Sequence, residues 1–86
     1  FDGVPQANIN KEDIENGLSI IDALAGKSGF LSSNGEARRE LKANAISVNK
    51  EKIDENCMLT KSDLINGKFI LIGKGKKNNY ILSIMD

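Results

Sequence analysis

The spacing of apolar residues changes along the chain, and each change marks an element. Residues 1–16, "FDGVPQANINKEDIEN", have no clean period and hold the only proline, so they are expected to form a linker or extended lead-in. Leu18, Ile21, Leu24 and Ala25 then recur at helical intervals, which predicts a short amphipathic helix ended by Gly26 and Gly29. A second helix is expected from about Asn34 to Ala43, with Ala37 and Leu41 on its apolar face. Ser33, with Glu36 three residues on, has the spacing of a capping box. Asn44 suits the left-handed residue that closes a helix. Ile46 and Val48 alternate with polar neighbours as a short strand does, Asn49-Lys50 makes a turn, and Ile53 starts the return. "LTKSDLINGK" is expected to be a turn or single helical turn ending at Gly67. "KFILIG" and "NYILSI", joined by "KGKKN", are expected to form a terminal β-hairpin. The order predicts an α+β fold: two short helices packed against a small, mostly antiparallel sheet with a C-terminal β-hairpin, the domain proper running over residues 17–86.

With 86 residues the chain suits one small domain. A single cysteine, Cys57, forbids an internal disulfide and fits a reducing, cytoplasmic setting. No apolar run approaches the roughly 18 residues of a membrane span, so no membrane partner is expected. The chain opens on Phe1 rather than Met, as an excised piece of a longer protein would. The formal net charge is zero, but it is unevenly spread. Residues 1–26 carry five acids against one base, and residues 27–86 carry eleven bases against seven acids. A local basic face is therefore compatible with the neutral total, and hints at a polyanion partner.

The second helix carries that face. At about 100° per residue, Arg38, Lys42 and Arg39 fall on one arc beside the apolar stripe, with Glu36 and Glu40 on the other side. Arginine suits phosphate because its planar fork donates two parallel hydrogen bonds, and lysine adds a mobile charge. The helix start, near Ser33 and Asn34, adds free N–H groups. Lys50 and Lys52 extend the arc from the following turn, and Lys74, Lys76 and Lys77 crowd a second turn. A merely solvated helix face stays open as the plain alternative, and lysines in a hairpin turn are common edge protection.

Other chemistry is poorly served. Five residues separate Gly67 from Gly73, and Gly75 stands where a phosphate-binding loop needs Ser or Thr. Without histidine there is no histidine base, triad or histidine-held zinc, and Cys57 has no partner ligand, so no catalytic residue, metal or cofactor is expected. Phe30 and Phe69 are expected in the core, which argues against a base-stacking platform.

The stretch "SSNGEARRELKANAISVNKEKI", Ser32 to Ile53, resembles the RNA-binding domain named after ribosomal small-subunit protein four. It carries a serine, then Glu-Ala-Arg-Arg, an apolar residue and a Val-Asn turn. "LTKSDLINGKFILIGKGKKNNYIL", Leu59 to Leu82, resembles the C-terminal end of bacterial tyrosyl-tRNA synthetases, where a Gly-Lys-Lys turn precedes a final strand. "FDGVPQ" and "LSIIDALA" also suit that domain's lead-in. The sequence departs from the family pattern at Asn44-Ala45, where the helix-to-strand turn usually has glycine, and at Asn49-Lys50, where Asn-Gly is favoured.

The resemblance implies a non-catalytic domain that grips tRNA(Tyr) near the anticodon stem and long variable arm, while the parent synthetase's catalytic domain ligates tyrosine. It implies phosphate contacts at Arg38, Arg39 and Lys42, with Ser33 and Asn34 at the helix start and Asn49, Lys50 and Lys52 on the turn. Lys74, Lys76 and Lys77 are an extension. Three alternatives stand beside it: the same fold in an RNA-modifying or ribosome-associated protein, a module docking on its own parent through the acidic N-terminal segment, and a DNA-binding helix-turn-helix. "NGEARR" offers the last mostly backbone contacts.

Overall fold

A computed structural model of the chain describes residues 3–75 and 78–85. In chain order the elements are β1 (Gln6–Asn10), α1 (Lys11–Glu15), β2 (Leu18–Ser19), a π-helix (Asp22–Lys27), α2 (Asn34–Lys42), β3 (Ile46–Val48), β4 (Glu51–Lys52), β5 (Met58–Leu59), a 3-10 turn (Lys61–Asp63), β6 (Phe69–Lys74) and β7 (Asn78–Met85). The fold is α+β, as the periodicities predict.

The five-stranded sheet runs β1-β7-β6-β3-β4. Its centre is the expected hairpin, with Ile70 opposite Leu82 and Ile72 opposite Tyr80. Strand alternation sends Ile46, Val48, Ile70, Ile72 and Leu82 to one face, where they are buried in a single apolar cluster. Ile9 of β1 joins them, and Ile14, Leu18, Ile20, Ala23, Leu24, Leu31, Ala37, Leu41 and Leu59 complete that cluster. Ile81, opposite Leu71, is buried outside it, on the other face of the sheet.

Two expectations change. Residues 6–15 belong to the same core as the rest of the domain. Gln6–Asn10 is an edge strand, among the described residues the only one paired parallel, lying along β7, and Ile9 and Ile14 are buried. Its period escaped the sequence reading because only Ile9 of β1 is fully buried, the others being polar or small.

The first helix also starts later than Leu18. Gly17 sits at φ +87°, and Leu18 pairs with Leu59 in a two-stranded sheet. The Ser19 hydroxyl then accepts from the Ile21 N–H at 3.3 Å and turns the chain into the helix. The buried set becomes Ile20, Ala23 and Leu24, while Ile21 and Ala25 are half-buried. A strand residue had supplied the first position of an apparent helical stripe.

Candidate nucleic-acid interface

α2 is fixed at both ends by its own sequence. At the start, the Ser33 hydroxyl accepts from the Glu36 N–H at 3.1 Å. The reciprocal arm of the expected capping box is shifted by one residue: Glu36 Oε1 accepts from the N–H of Ser32 at 2.8 Å and from its hydroxyl at 3.2 Å. Those bonds hold the Glu36 carboxyl below its ordinary range, with smaller help from the charges of Lys74 and Arg39. At the far end Asn44 takes φ +61°. Its N–H donates to the Leu41 carbonyl at 3.1 Å, and the Ala45 N–H donates to the Glu40 carbonyl at 3.0 Å. That pair of bonds is the Schellman closure, with asparagine where glycine is usual.

Between these caps Ala37 and Leu41 are buried, and Arg38, Arg39 and Lys42 are exposed. Among the described residues the ion pairs are Lys27–Asp13 at 3.5 Å and Lys61–Glu15 at 3.2 Å, so the acids of the N-terminal segment lean on other lysines. No described acid stands within ion-pair distance of Arg38, Arg39 or Lys42.

The turn after β3 matches its sequence signal. Asn49 and Lys50 take φ +51° and +75°, the pair of positive values that a two-residue type I′ hairpin needs. Val48 faces Glu51 and Ser47 faces Lys52 across it. The Asn49 side chain turns inward. Its Nδ2 donates to the Asp63 carbonyl at 2.6 Å, and its Oδ1 accepts from the Leu71 N–H at 3.0 Å. Its backbone N–H donates to the Leu71 carbonyl at 2.7 Å, so the residue prolongs the β3–β6 ladder beyond Val48. Asn49 is a strut of the turn, and the exposed cations it supports are Lys50 and Lys52.

The expected site residues therefore divide. Arg38, Arg39 and Lys42 share one helix. Lys74 joins them from the hairpin: it pairs with Ile46, just past the end of α2, and lowers the Glu36 pKa from there. The Gly75 N–H donates to the Ala45 carbonyl at 2.8 Å and ties that turn to the helix end. Lys50 lies at the opposite end of β3 from α2. Ser33 and Asn34 are exposed at the helix start, where the Glu36 carboxylate already sits. Lys76 and Lys77 lie outside the described residues. The sequence did not anticipate that Asn49 faces inward or that Lys74 sits beside Glu36, because both depend on β3 pairing with β6 across more than twenty residues of chain.

Burial pushes the half-buried Cys57 thiol up, helped by Asp63 and Asp54, which keeps it protonated and a poor nucleophile. Among the described residues no three His, Cys, Asp or Glu side chains gather as a metal site requires, and no helix is long and apolar enough to cross a membrane.

Comparison with known proteins adds the remaining finding. Residues 1–82 match the family described as the tyrosine–tRNA ligase SYY-like C-terminal domain. The chain is 58% identical over 84 residues to the tyrosine–tRNA ligase of Flavobacterium psychrophilum, covering 98% of this chain and 20% of that protein. It is 58% identical over 85 residues to the tyrosine–tRNA ligase of Flavobacterium johnsoniae, covering 99% of this chain and 20% of that protein. It is 36% identical over 85 residues to the tyrosine–tRNA ligase of Porphyromonas gingivalis, covering 98% and 20%. The chain thus spans about a fifth of the length of the relatives it matches.

Proposed function

The chain belongs to the family of tyrosine–tRNA ligase C-terminal domains, and from that membership we propose that it grips the backbone of tRNA(Tyr) while the catalytic domain of a parent tyrosine–tRNA ligase attaches tyrosine. The observation that carries the reading is the arc of Arg38, Arg39 and Lys42, exposed and, among the described residues, without an acidic neighbour in ion-pair range on a helix closed at both ends. Such a surface positions a polyanion, because guanidinium and ammonium groups on a rigid frame lose little freedom when they meet phosphates. A-form RNA presents mainly its backbone and shape, so a compact cationic face is sufficient to hold it near the anticodon stem and variable arm.

Within this reading Lys74 extends the arc, Lys52 and Lys50 add charge from the β3–β4 turn, and Asn49 acts by holding that turn. The Glu36 carboxylate, closed over Ser32, makes the helix start a poorer phosphate seat than the flank, so Ser33 and Asn34 serve chiefly to fix α2.

The test is tRNA(Tyr) binding by the Arg38→Ala/Arg39→Ala variant at two salt concentrations. Affinity is expected to fall about tenfold or more, and the logarithmic salt slope to shrink by about two, one for each lost phosphate contact. The helical circular dichroism is expected to stay unchanged. Equal affinity in variant and wild type would remove α2 from the binding surface.

A further inference from the structure

The Phe30 and Tyr80 rings lie stacked, with centroids 4.4 Å apart and planes 14° from parallel. Both are only partly buried, so they form the edge of the core and not its centre. A cavity of about 260 Å³ adjoins Tyr80, walled by Gly3, Val4, Pro5, Asn78, Asn79 and Tyr80. Phe30 is not part of that wall, so it supports the tyrosine from elsewhere while the cavity opens beside it. We propose that this cavity takes a single unpaired nucleobase of the RNA held by α2.

The chemistry of the wall selects that occupant. Among the described residues its wall holds no charged side chain. It does contain one aromatic ring, an apolar patch from Val4 and Pro5, and two carboxamides. A flat, neutral, hydrogen-bonding ligand fits that set. The Asn78 and Asn79 amides each offer donors and an acceptor, the complement of a base edge, and neither bonds another described residue. The volume is just below the roughly 300–1,000 Å³ of pockets that take drug-sized ligands, and suits one base more than a whole nucleotide chain. Lys74 is the cross-strand partner of Asn78, so a cation stands next to the mouth for the phosphate that follows the base. The Gly75 N–H, next along the chain from Lys74, bonds the Ala45 carbonyl and ties that strand end to the end of α2. The larger cavities, at Lys68 and Phe69 and at Lys11 and Met85, have lysine in their walls and no ring pair.

This site rests on the RNA-gripping reading and adds what it discriminates: α2 holds a paired stem by its backbone, and the cavity reads whether an unpaired base stands beside that stem. Sequence-specific RNA recognition commonly works on such splayed bases, stacked on aromatic side chains.

The experiment compares two short RNA duplexes, one fully paired and one carrying a single unpaired 5-iodouridine. Wild-type chain is expected to bind the second about tenfold more tightly, the size that one base–aromatic stack brings. Irradiation is expected to cross-link the iodouridine to Tyr80, the chain's only tyrosine, as mapped by mass spectrometry. Asn78→Ala, an exposed change that spares the stacked pair, is expected to reduce the preference while leaving the paired duplex unaffected. Equal binding of the two duplexes, or a cross-link that maps away from residues 78–80, overturns the cavity proposal and leaves the α2 reading intact. Failure of the wild-type chain to bind either duplex overturns both.

Discussion

Two short helices carry clusters of like charge, and the chain treats them in opposite ways. α1 presents Glu12, Asp13 and Glu15, and has no side-chain cap at its start. Two of its acids already lean on Lys27 and Lys61. α2 presents Arg38, Arg39 and Lys42, is capped at both ends, and among the described residues leaves those cations without an acid in ion-pair distance. Both are anchored by buried aliphatic residues, Ile14 in one and Leu41 in the other. The difference teaches that sign and density of charge do not by themselves mark a binding surface. On the proposed reading, what would mark it is charge left unpaired on a frame that holds its shape without a ligand.

If both helices share one core, truncating either anchor should have the largest effect. Leu41→Ala and Ile14→Ala are each expected to destabilise by about 2–5 kcal/mol, the range for removing most of a buried aliphatic side chain. Urea denaturation of the two variants checks this. A midpoint that hardly moves for Ile14→Ala would break the comparison by showing residues 6–15 to be a dispensable appendage.

That anchor was also the harder one to see in the sequence. α2, its asparagine C-cap, the Asn49-Lys50 turn and the terminal hairpin were legible because each is specified locally, by periodicity or by a residue that tolerates positive φ. Parallel pairing of β1 with β7 is specified by no neighbour in sequence: Gln6 finds Ile81 across the length of the chain. The β2–β5 sheet rests on two residue pairs, too few to show alternation. On the site, the cationic arc was legible as a helical wheel. The placements of Asn49 and Tyr80 were not, because each depends on strand register: Asn49 meets Leu71, and Tyr80 is turned toward the helix side, where Phe30 stacks on it.

Asn49 sharpens the contrast at the next size. Asn49→Ala leaves the Leu71 N–H and the Asp63 carbonyl without their partners and puts alanine at φ +51°. An unmet, partly buried polar group costs about 1–3 kcal/mol. Stability is expected to fall by about that much, and RNA affinity to fall only modestly, since Arg38, Arg39 and Lys42 stay in place. A variant that keeps its stability but loses RNA affinity tenfold would make Asn49 a direct contact and overturn its role as a strut.

A smaller effect is expected at the α2 cap. Ser33→Ala removes the acceptor for the Glu36 N–H and should cost about 1 kcal/mol. Glu36 adds a pH signature. Its folded pKa lies below the ordinary 4.5 because Ser32 donates to the carboxylate. A depressed carboxyl stabilises the fold above its unfolded pKa, and that contribution is lost as pH falls through the folded value. Glu36→Gln should therefore flatten the acid limb of a stability–pH profile below about pH 5. An acid limb identical to wild type would show that the Ser32 bonds do not persist in solution.

The smallest expected effect lies in the region that gives α1 its neutrality. The Asp13–Lys27 and Glu15–Lys61 pairs are partly solvent-exposed, and such pairs contribute about 0–1 kcal/mol. Asp13→Asn with Glu15→Gln should therefore leave the melting temperature almost unchanged. It also removes two acids from the chain and frees Lys27 and Lys61. If the basic arc of α2 works as a localised surface, RNA affinity should rise only slightly, and only at low salt, where the Debye length exceeds its roughly 10 Å at 0.1 M. A strong rise that persists at high salt would mean that freed Lys27 or Lys61 touches RNA directly. The binding surface would then extend across both helices, and the division between a neutralised helix and an open one would not hold.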